Sequence, residues 1–175
     1  MQVLSGEWFG YWMRAALPIG SALVVVLGAN LPVSFGFSLP VAPLFALMVV
    51  YFWSMRRPDL MRAPAIFMIG FLQDALSGAP LGLSSLSMLA AITFVGASYQ
   101  ALANFAFGFY VFGFFLAALI YGIVATLVAV VYTQSFFSLV PLGEQILMSA
   151  LIYPFVGFVL AALAKLLSPL PLLYR

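Results

Sequence analysis

Long apolar stretches with almost no charged residues dominate this chain of 175 residues. Hydrophobic residues make up 66% of the chain and charged residues only 6%, whereas soluble domains carry roughly 25% charged residues. In a bilayer every backbone polar group must find a partner inside the protein, so only helices and closed barrels can span it. The apolar runs are continuous and much longer than the alternating segments of about ten residues found in barrel strands. The sequence therefore predicts an all-α membrane protein.

Six apolar segments predict a six-helix transmembrane bundle that forms a single domain over residues 1–175. The third segment is short, because a helix that crosses a bilayer needs about 20 apolar residues. The predicted spans in chain order are residues 15–31, 41–55, 63–77, 81–99, 107–132 and 144–167. Residues 133–143 are expected to form a loop of mixed polarity between the last two.

The cations predict the orientation of the bundle. If all six segments cross the membrane, every Lys and Arg lies on the same side, and the positive-inside rule places that side and both termini in the cytoplasm. These cations are Arg14, Arg56, Arg57, Arg62, Lys165 and Arg175. Arg56, Arg57 and Arg62 form a basic turn that determines topology and could also meet anionic lipid or a cytosolic protein. Within it, Asp59 is expected to cap the third helix or to pair with a neighbouring Arg.

The ionisable residues argue against catalysis and against metal or cofactor binding. The chain has no Cys and no His, which removes thiolate and imidazole chemistry and most transition-metal sites. Its four carboxylates are scattered, so a carboxylate-pair site would need long-range assembly. The six spread cations provide no clustered basic face for nucleic acid. We expect a non-enzymatic protein without a cofactor or metal and without a nucleic-acid partner.

The third and fourth segments are joined by the most informative motif in the chain, a tight hairpin around a carboxylate that lies in apolar sequence. Such a carboxylate is costly in hydrocarbon and implies a partner, a polar cavity or a turn that uses it. The motif residues are Gly70, Asp74, Ser77, Gly78, Pro80 and Gly82. Gly70 permits close helix approach, Asp74 and Ser77 offer hydrogen bonds across the contact, and Pro80 fits the first turn of the fourth helix. Asp74 is then expected near the amino end of that helix, where the dipole favours an anion.

Asp74 has three possible roles on these grounds. The simplest is that it ties the turn together. Docking of a partner or a shared polar cavity is the main alternative, and a proton relay is the weakest because no second titratable residue lies within one helical turn.

Small residues recur on one face of each of the last two helices. They let helices approach closely, either within the bundle or against a partner. In the fifth helix they are Ala118, Gly122, Ala125 and Ala129, and in the sixth they are Ser149, Gly157 and Ala161, with Tyr153 among them. Two outward loops are apolar and suit either an interaction site or the headgroup region; their residues are Val33, Phe35, Phe37, Phe136, Phe137, Leu139 and Val140.

The stretch from Arg57 to Leu89 resembles MreD, a small membrane component of the bacterial rod-shape system, the elongasome. The similarity lies in the basic-Pro-Asp turn, the short apolar helix that ends in the Asp74 motif, and the serine-containing helix that follows. Family members often carry histidine shortly after the turn, where this chain has Ser84 and Ser85. Chain length and the absence of large loops agree with the family.

The resemblance implies a scaffold of the bacterial cytoplasmic membrane that acts in cell shape and peptidoglycan synthesis. Its implied partners are the membrane helix of MreC, the synthase RodA with its transpeptidase, and MreB filaments indirectly. Membrane lipids and a second copy of the chain are further possible partners. The implied fold is that of the substrate-binding subunits of energy-coupling-factor transporters.

Two other functions remain as alternatives. The chain could be a vitamin-binding subunit of such a transporter, although its first outward loop, residues 32–40, is short for a lid. An intramembrane enzyme would need Asp74 to pair with Glu144, since no nucleophile and base stand together.

Overall fold

Six α-helices make up the secondary structure of the described part of the chain. The computed structural model describes residues 17–30, 42–99, 108–134 and 140–166. The helices are α1 (Leu17–Ala29), α2 (Phe45–Arg56), α3 (Ala63–Ser77), α4 (Leu83–Tyr99), α5 (Gly108–Thr133) and α6 (Val140–Leu166). These residues contain no strand, so the predicted all-α fold is confirmed for them.

The observed helix ends differ from the predicted ones most at the beginnings of α6 and α2. Helix α6 begins at Val140, four residues before the predicted start at residue 144, so the last part of the expected loop over residues 133–143 is helical. Pro141 is compatible with this start, because proline fits the first turn of a helix, where its missing N–H costs nothing. Helix α2 differs in the opposite direction and begins later than predicted, at Phe45 rather than at residue 41. Residue 41 itself lies outside the described residues.

Two of the described helices are long and apolar enough to cross a membrane, namely α5 and α6. The other four are apolar but contain 10–17 residues. Helix length and composition thus support membrane insertion through α5 and α6. The crossing of the membrane by all six segments stays a prediction.

Helix α2 forms the centre of the bundle. Every residue from Ala46 to Ser54 is buried, and the other five helices pack around this stretch. A helix that is apolar on all sides has no face suited to solvent and is stable only when it is surrounded. The sequence pattern predicts α2 only as one span among six, whereas the structure makes it the core.

Hydrogen bonds at both ends of α2 join it to its neighbours. The Trp53 indole N–H donates to Ser21 Oγ of α1 at 2.8 Å. The backbone N–H of Leu44, just before α2, donates to Ser149 Oγ of α6 at 2.9 Å. Because few polar groups occur in this bundle, each such pair helps to fix the register of two helices.

An aromatic cluster holds the middle of α2 against α5 and α6. The Phe114 and Tyr153 rings are stacked with centroids 4.2 Å apart. The Tyr51 ring forms a T-shaped contact with each of them, with centroids 5.6 Å apart. The Tyr51 hydroxyl also donates to the backbone carbonyl of Tyr110 at 3.2 Å. Aromatic pairs of this geometry contribute about 0.5–1.5 kcal/mol beyond their buried area.

Gly113 of α5 leaves the space that the Tyr51 hydroxyl occupies, because a Cβ at residue 113 would collide with that oxygen. We therefore expect Gly113→Ala to lower the free energy of unfolding by about 1–3 kcal/mol, since the tyrosine must move. The same Cβ would lie 3.5 Å from Tyr51 Cζ, an ordinary contact. In a Tyr51→Phe background the alanine should therefore cost about 1 kcal/mol less. Thermal unfolding in detergent measures this double-mutant cycle, and additive effects of the two substitutions would contradict the assigned contact.

Candidate functional site: the Asp74 hairpin

The carboxylate of Asp74 is fully buried between α3 and α4, with 0% exposure. Its Oδ2 accepts the backbone N–H of Gly82 at 2.9 Å. The backbone N–H of Ser84 is shared between Oδ1 and Oδ2 at 3.0 and 3.1 Å. Both carboxylate oxygens are therefore occupied by amides at the beginning of α4, as the sequence analysis expected.

These contacts explain how a buried carboxylate is tolerated in an apolar bundle. The first amides of a helix have no partners within the helix, and the helix dipole concentrates positive charge at that end. Asp74 accepts hydrogen bonds from two of these amides and lies at the positive end of the helix dipole. Hydrogen bonds to a charged acceptor contribute about 1.5–3 kcal/mol, which offsets part of the desolvation cost. With its oxygens used in this way, Asp74 ties the turn to the beginning of α4.

Two glycines with positive φ shape the turn that brings these amides to Asp74. Gly78, directly after α3, has φ +69°, and Gly82, directly before α4, has φ +99°. Residues with a Cβ are strained in this region of backbone conformation. Since a Cβ at either position would meet no atom within 4 Å, the requirement for glycine comes from the backbone conformation.

Helices α3 and α4 are in backbone contact at Gly70. A Cβ at this position would lie 2.5 Å from Ser85 Cα, which no real side chain tolerates. The close approach also lets the Ser85 hydroxyl donate to the backbone carbonyl of Phe67 at 3.0 Å. Gly70 thus has the role in helix packing that the sequence predicts.

Further hydrogen bonds connect the hairpin to the rest of the bundle. Ser84 Oγ and the Tyr121 hydroxyl of α5 lie 3.2 Å apart and are both buried. On the other side, the Asn30 side-chain amide, just after α1, donates to Gln73 Oε1 of α3 at 3.3 Å. The hairpin is therefore positioned relative to α1 and α5 by side chains as well as by apolar packing.

Two motif residues differ in role from their sequence-based interpretation. Ser77 is exposed, and its hydroxyl donates to the backbone carbonyl of Asp74 in its own helix at 3.4 Å. It therefore forms no hydrogen bond to α4. Pro80 lies in the turn, and its carbonyl accepts the Leu83 N–H at 3.1 Å. It is not in the first helical turn, because Gly82 must precede the helix with positive φ to direct its amide at Asp74. The sequence pattern does not reveal the hydrogen bonds of Ser84 and Ser85. These bonds depend on the register of α4 relative to α3 and α5.

The basic turn at the other end of α3 contains an exposed ion pair. Arg57 donates from Nε and Nη2 to the two carboxylate oxygens of Asp59, at 3.2 and 3.1 Å. These hydrogen bonds hold the pKa of the Asp59 carboxyl below its usual value. Of the two expectations for Asp59, the structure thus supports the pairing with Arg. Arg62 precedes α3 at its N-cap position, without a capping side-chain bond.

The small residues of α5 and α6 line contacts inside the bundle and a cavity at its surface. Ala118 is buried, and a Cβ at Gly122 would lie 3.0 Å from Ile146 Cδ1 of α6, so these two positions serve packing within the bundle. Gly157 and Ala161 instead line a cavity between α2, α5 and α6. The predicted apolar loop residues 33–37 and 136–139 lie outside the described residues.

A comparison with protein-family models identifies the family. Residues 12–166 match the model of the rod shape-determining protein MreD. The chain belongs to the MreD family. The comparisons with curated proteins and with solved structures found no match.

Membership of the MreD family implies a membrane-associated role in rod-shape determination. The family consists of shape-determining proteins and is not a known enzyme family. Among the described residues, no cluster of acidic side chains is arranged to hold a metal ion. Within this MreD family member, the Asp74 hairpin is the best-defined polar feature of the bundle.

We expect Asp74→Asn to lower the free energy of unfolding by about 2–3 kcal/mol. The substitution keeps the shape of the side chain but removes the charge, and its new NH2 group faces a backbone amide donor. Thermal or denaturant unfolding in detergent measures the loss. Asp59→Asn is the matched control and should change stability by less than about 1 kcal/mol, since its ion pair is exposed. Equal effects of the two substitutions would contradict the role of Asp74.

We expect Gly70→Ala to separate α3 from α4 at Ser85 and to destabilise the protein by about 1–3 kcal/mol. Gly96→Ala in α4 is the control, because a Cβ there meets nothing within 4 Å and alanine favours the helix over glycine. The melting temperature of both variants in the same detergent checks the difference. A Gly70→Ala protein as stable as the Gly96→Ala protein would exclude the close helix contact.

Proposed function

We propose that this MreD family member is a non-enzymatic scaffold of the cell-wall elongation machinery. In this role it binds the membrane helix of MreC and helps to couple MreB filaments to peptidoglycan synthesis by RodA and its transpeptidase. The family match is the observation that carries the proposal. The proposed non-enzymatic role is consistent with the Asp74 carboxylate, because both of its oxygens are occupied by backbone amides.

The outward side of α3 is the surface that we propose for MreC. This hairpin face consists of Phe67, Met68, Phe71 and Ala75, all of which are exposed. Its two aromatic rings are stacked at an interplanar angle of 21°, with centroids 6.4 Å apart. Helices associate in lipid through close packing rather than through a hydrophobic driving force. An apolar face on a helix of fixed position suits a single partner helix.

The Asp74 hairpin supports this surface from the inside. The buried side of α3 carries Ile66, Ile69, Gly70 and Asp74, and the hydrogen bonds of Asp74 and Ser85 fix it against α4. The opposite side is thereby held in a constant orientation toward the membrane. Preorganisation of this kind lowers the entropic cost of binding a partner.

The proposed location is the bacterial cytoplasmic membrane, with six spans and both termini in the cytoplasm. The positions of the cations support this topology. A fold like that of the energy-coupling-factor substrate-binding subunits stays a prediction, as no solved structure matched. Self-association also stays a prediction.

The test is co-purification of MreC with the tagged full chain from membranes in mild detergent. A Phe67→Ala/Phe71→Ala variant should lower the recovered MreC by about fivefold or more, because aromatic residues dominate binding energy at interfaces. Phe155→Ala in α6 is the control, since Phe155 is also exposed, at 77%, but lies on a different helix. The control should retain full MreC binding, and the melting temperatures of the purified variants confirm that both remain folded.

Two results would contradict the proposal at different levels. Recovery of no MreC with the unmodified chain, measured by mass spectrometry of the eluate, would exclude the scaffold function. Full recovery with the Phe67→Ala/Phe71→Ala variant would keep the function and exclude the hairpin face as the binding surface.

A further inference from the structure

A cavity of about 180 Å³ lies at the surface of the bundle, between the last turns of α2, the beginning of α5 and the second half of α6. Its lining is almost entirely aromatic or small. The lining residues are Phe52, Arg56, Tyr110, Tyr153, Pro154, Gly157, Phe158 and Ala161. The Asp74 hairpin contributes none of them, so the cavity is separate from the site described above.

Two residues of α6, Pro154 and Gly157, favour an open cavity beside this helix. Pro154 lies inside the helix, where it removes one backbone hydrogen bond and tends to bend the helix. One turn further on, a Cβ at Gly157 would meet only Tyr153 Cζ of the same helix, at 3.8 Å. The neighbouring Phe158 is 74% exposed, so the cavity opens toward the outside of the bundle.

Arg56 is the charged member of the lining. Its guanidinium lies 4.9 Å from the centroid of the Phe52 ring, and it forms no salt bridge with any described carboxylate. Its neighbour Arg57 is instead paired with Asp59. An exposed cation at the edge of an apolar cavity favours a ligand that combines an anionic group with an apolar body.

A second cation lies at the same end of the bundle. Helices α2 and α6 run parallel, because Leu44 at the start of α2 contacts Ser149 while Arg56 at its end shares the cavity with Ala161. Lys165 follows Ala161 by four residues and so lies one turn further along the same helix face. The positions of the cations predict that this end faces the cytoplasm, where anionic lipids attract basic residues.

We propose that this cavity binds an anionic phospholipid. A segment of one acyl chain occupies the apolar space beside Gly157, and the phosphate is held by Arg56, with Lys165 nearby. A water-soluble ligand would need several polar groups in the lining, whereas Arg56 and the two tyrosines are the polar residues there. Because the cavity opens to the outside of the bundle beside α6, a lipid can enter it directly from the bilayer.

Native mass spectrometry of the purified full chain in detergent, titrated with phosphatidylglycerol or phosphatidylcholine, tests the proposal. Phosphatidylglycerol should bind more tightly than phosphatidylcholine. Arg56→Gln should weaken its binding by about fivefold, the effect of one cation near a lipid headgroup, and Arg56→Lys should largely restore it. Gly157→Leu should weaken binding of both lipids because it fills the cavity without a change in charge.

Matched controls separate this site from general effects. Arg62→Gln removes an exposed cation of the same basic turn that does not line the cavity, and Gly96→Leu adds the same side chain at a glycine elsewhere. Both should bind phosphatidylglycerol as the unmodified chain does. Melting temperatures without added lipid show that each variant is folded.

Three results would overturn the proposal. The first is equal binding of the two lipids by the unmodified chain. The second is an equal loss with Arg56→Gln and Arg62→Gln, which would indicate a diffuse basic surface. The third is binding of inorganic phosphate alone, in the same titration, as tight as that of phosphatidylglycerol, which would indicate a small-anion site without a lipid chain.

Discussion

The requirement that every polar group in an apolar bundle finds a partner within the protein determines this structure. Asp74 is the most demanding case, because a buried carboxylate without partners costs several kcal/mol. The turn after α3 meets this demand by presenting the amides of Gly82 and Ser84 to its oxygens. The positive φ angles of Gly78 and Gly82 are a consequence, since this arrangement needs a backbone that other residues rarely adopt.

The same requirement explains how the other helices are placed. Trp53 bonds to Ser21 between α2 and α1, and Ser84 bonds to Tyr121 between α4 and α5. Each pair lies in apolar surroundings, so a shift of one helix by a turn would break the bond between the two helices. The Trp53 indole N–H would then lose its partner, whereas Ser21 would keep its bond to the Pro18 carbonyl. The Ser54 hydroxyl, which is buried without a partner, is the exception among the described residues.

The sequence predicted the helical class and the hairpin well because both depend on local pattern. Continuous apolar runs demand helices, and the glycines around Asp74 specify a turn at the end of α3. The central position of α2 and the hydrogen bonds of Ser84 depend on which helix faces which, and periodicity carries no such information in a chain that is apolar on all sides. The early start of α6 is not evident from the mixed polarity of residues 133–143, and Pro141 fits either a loop or a first helical turn.

The role proposed for the hairpin in this MreD family member is that Asp74 fixes α3 so that its outer face keeps one orientation. Amide hydrogen exchange of the full chain in detergent tests this claim most directly, because it reports local opening of hydrogen bonds. We predict slow exchange at Gly82 and Ser84 in the unmodified protein and fast exchange there in the Asp74→Asn variant, with a smaller increase in α5 that reflects only the loss of global stability. Fast exchange at both amides in the unmodified protein would contradict it.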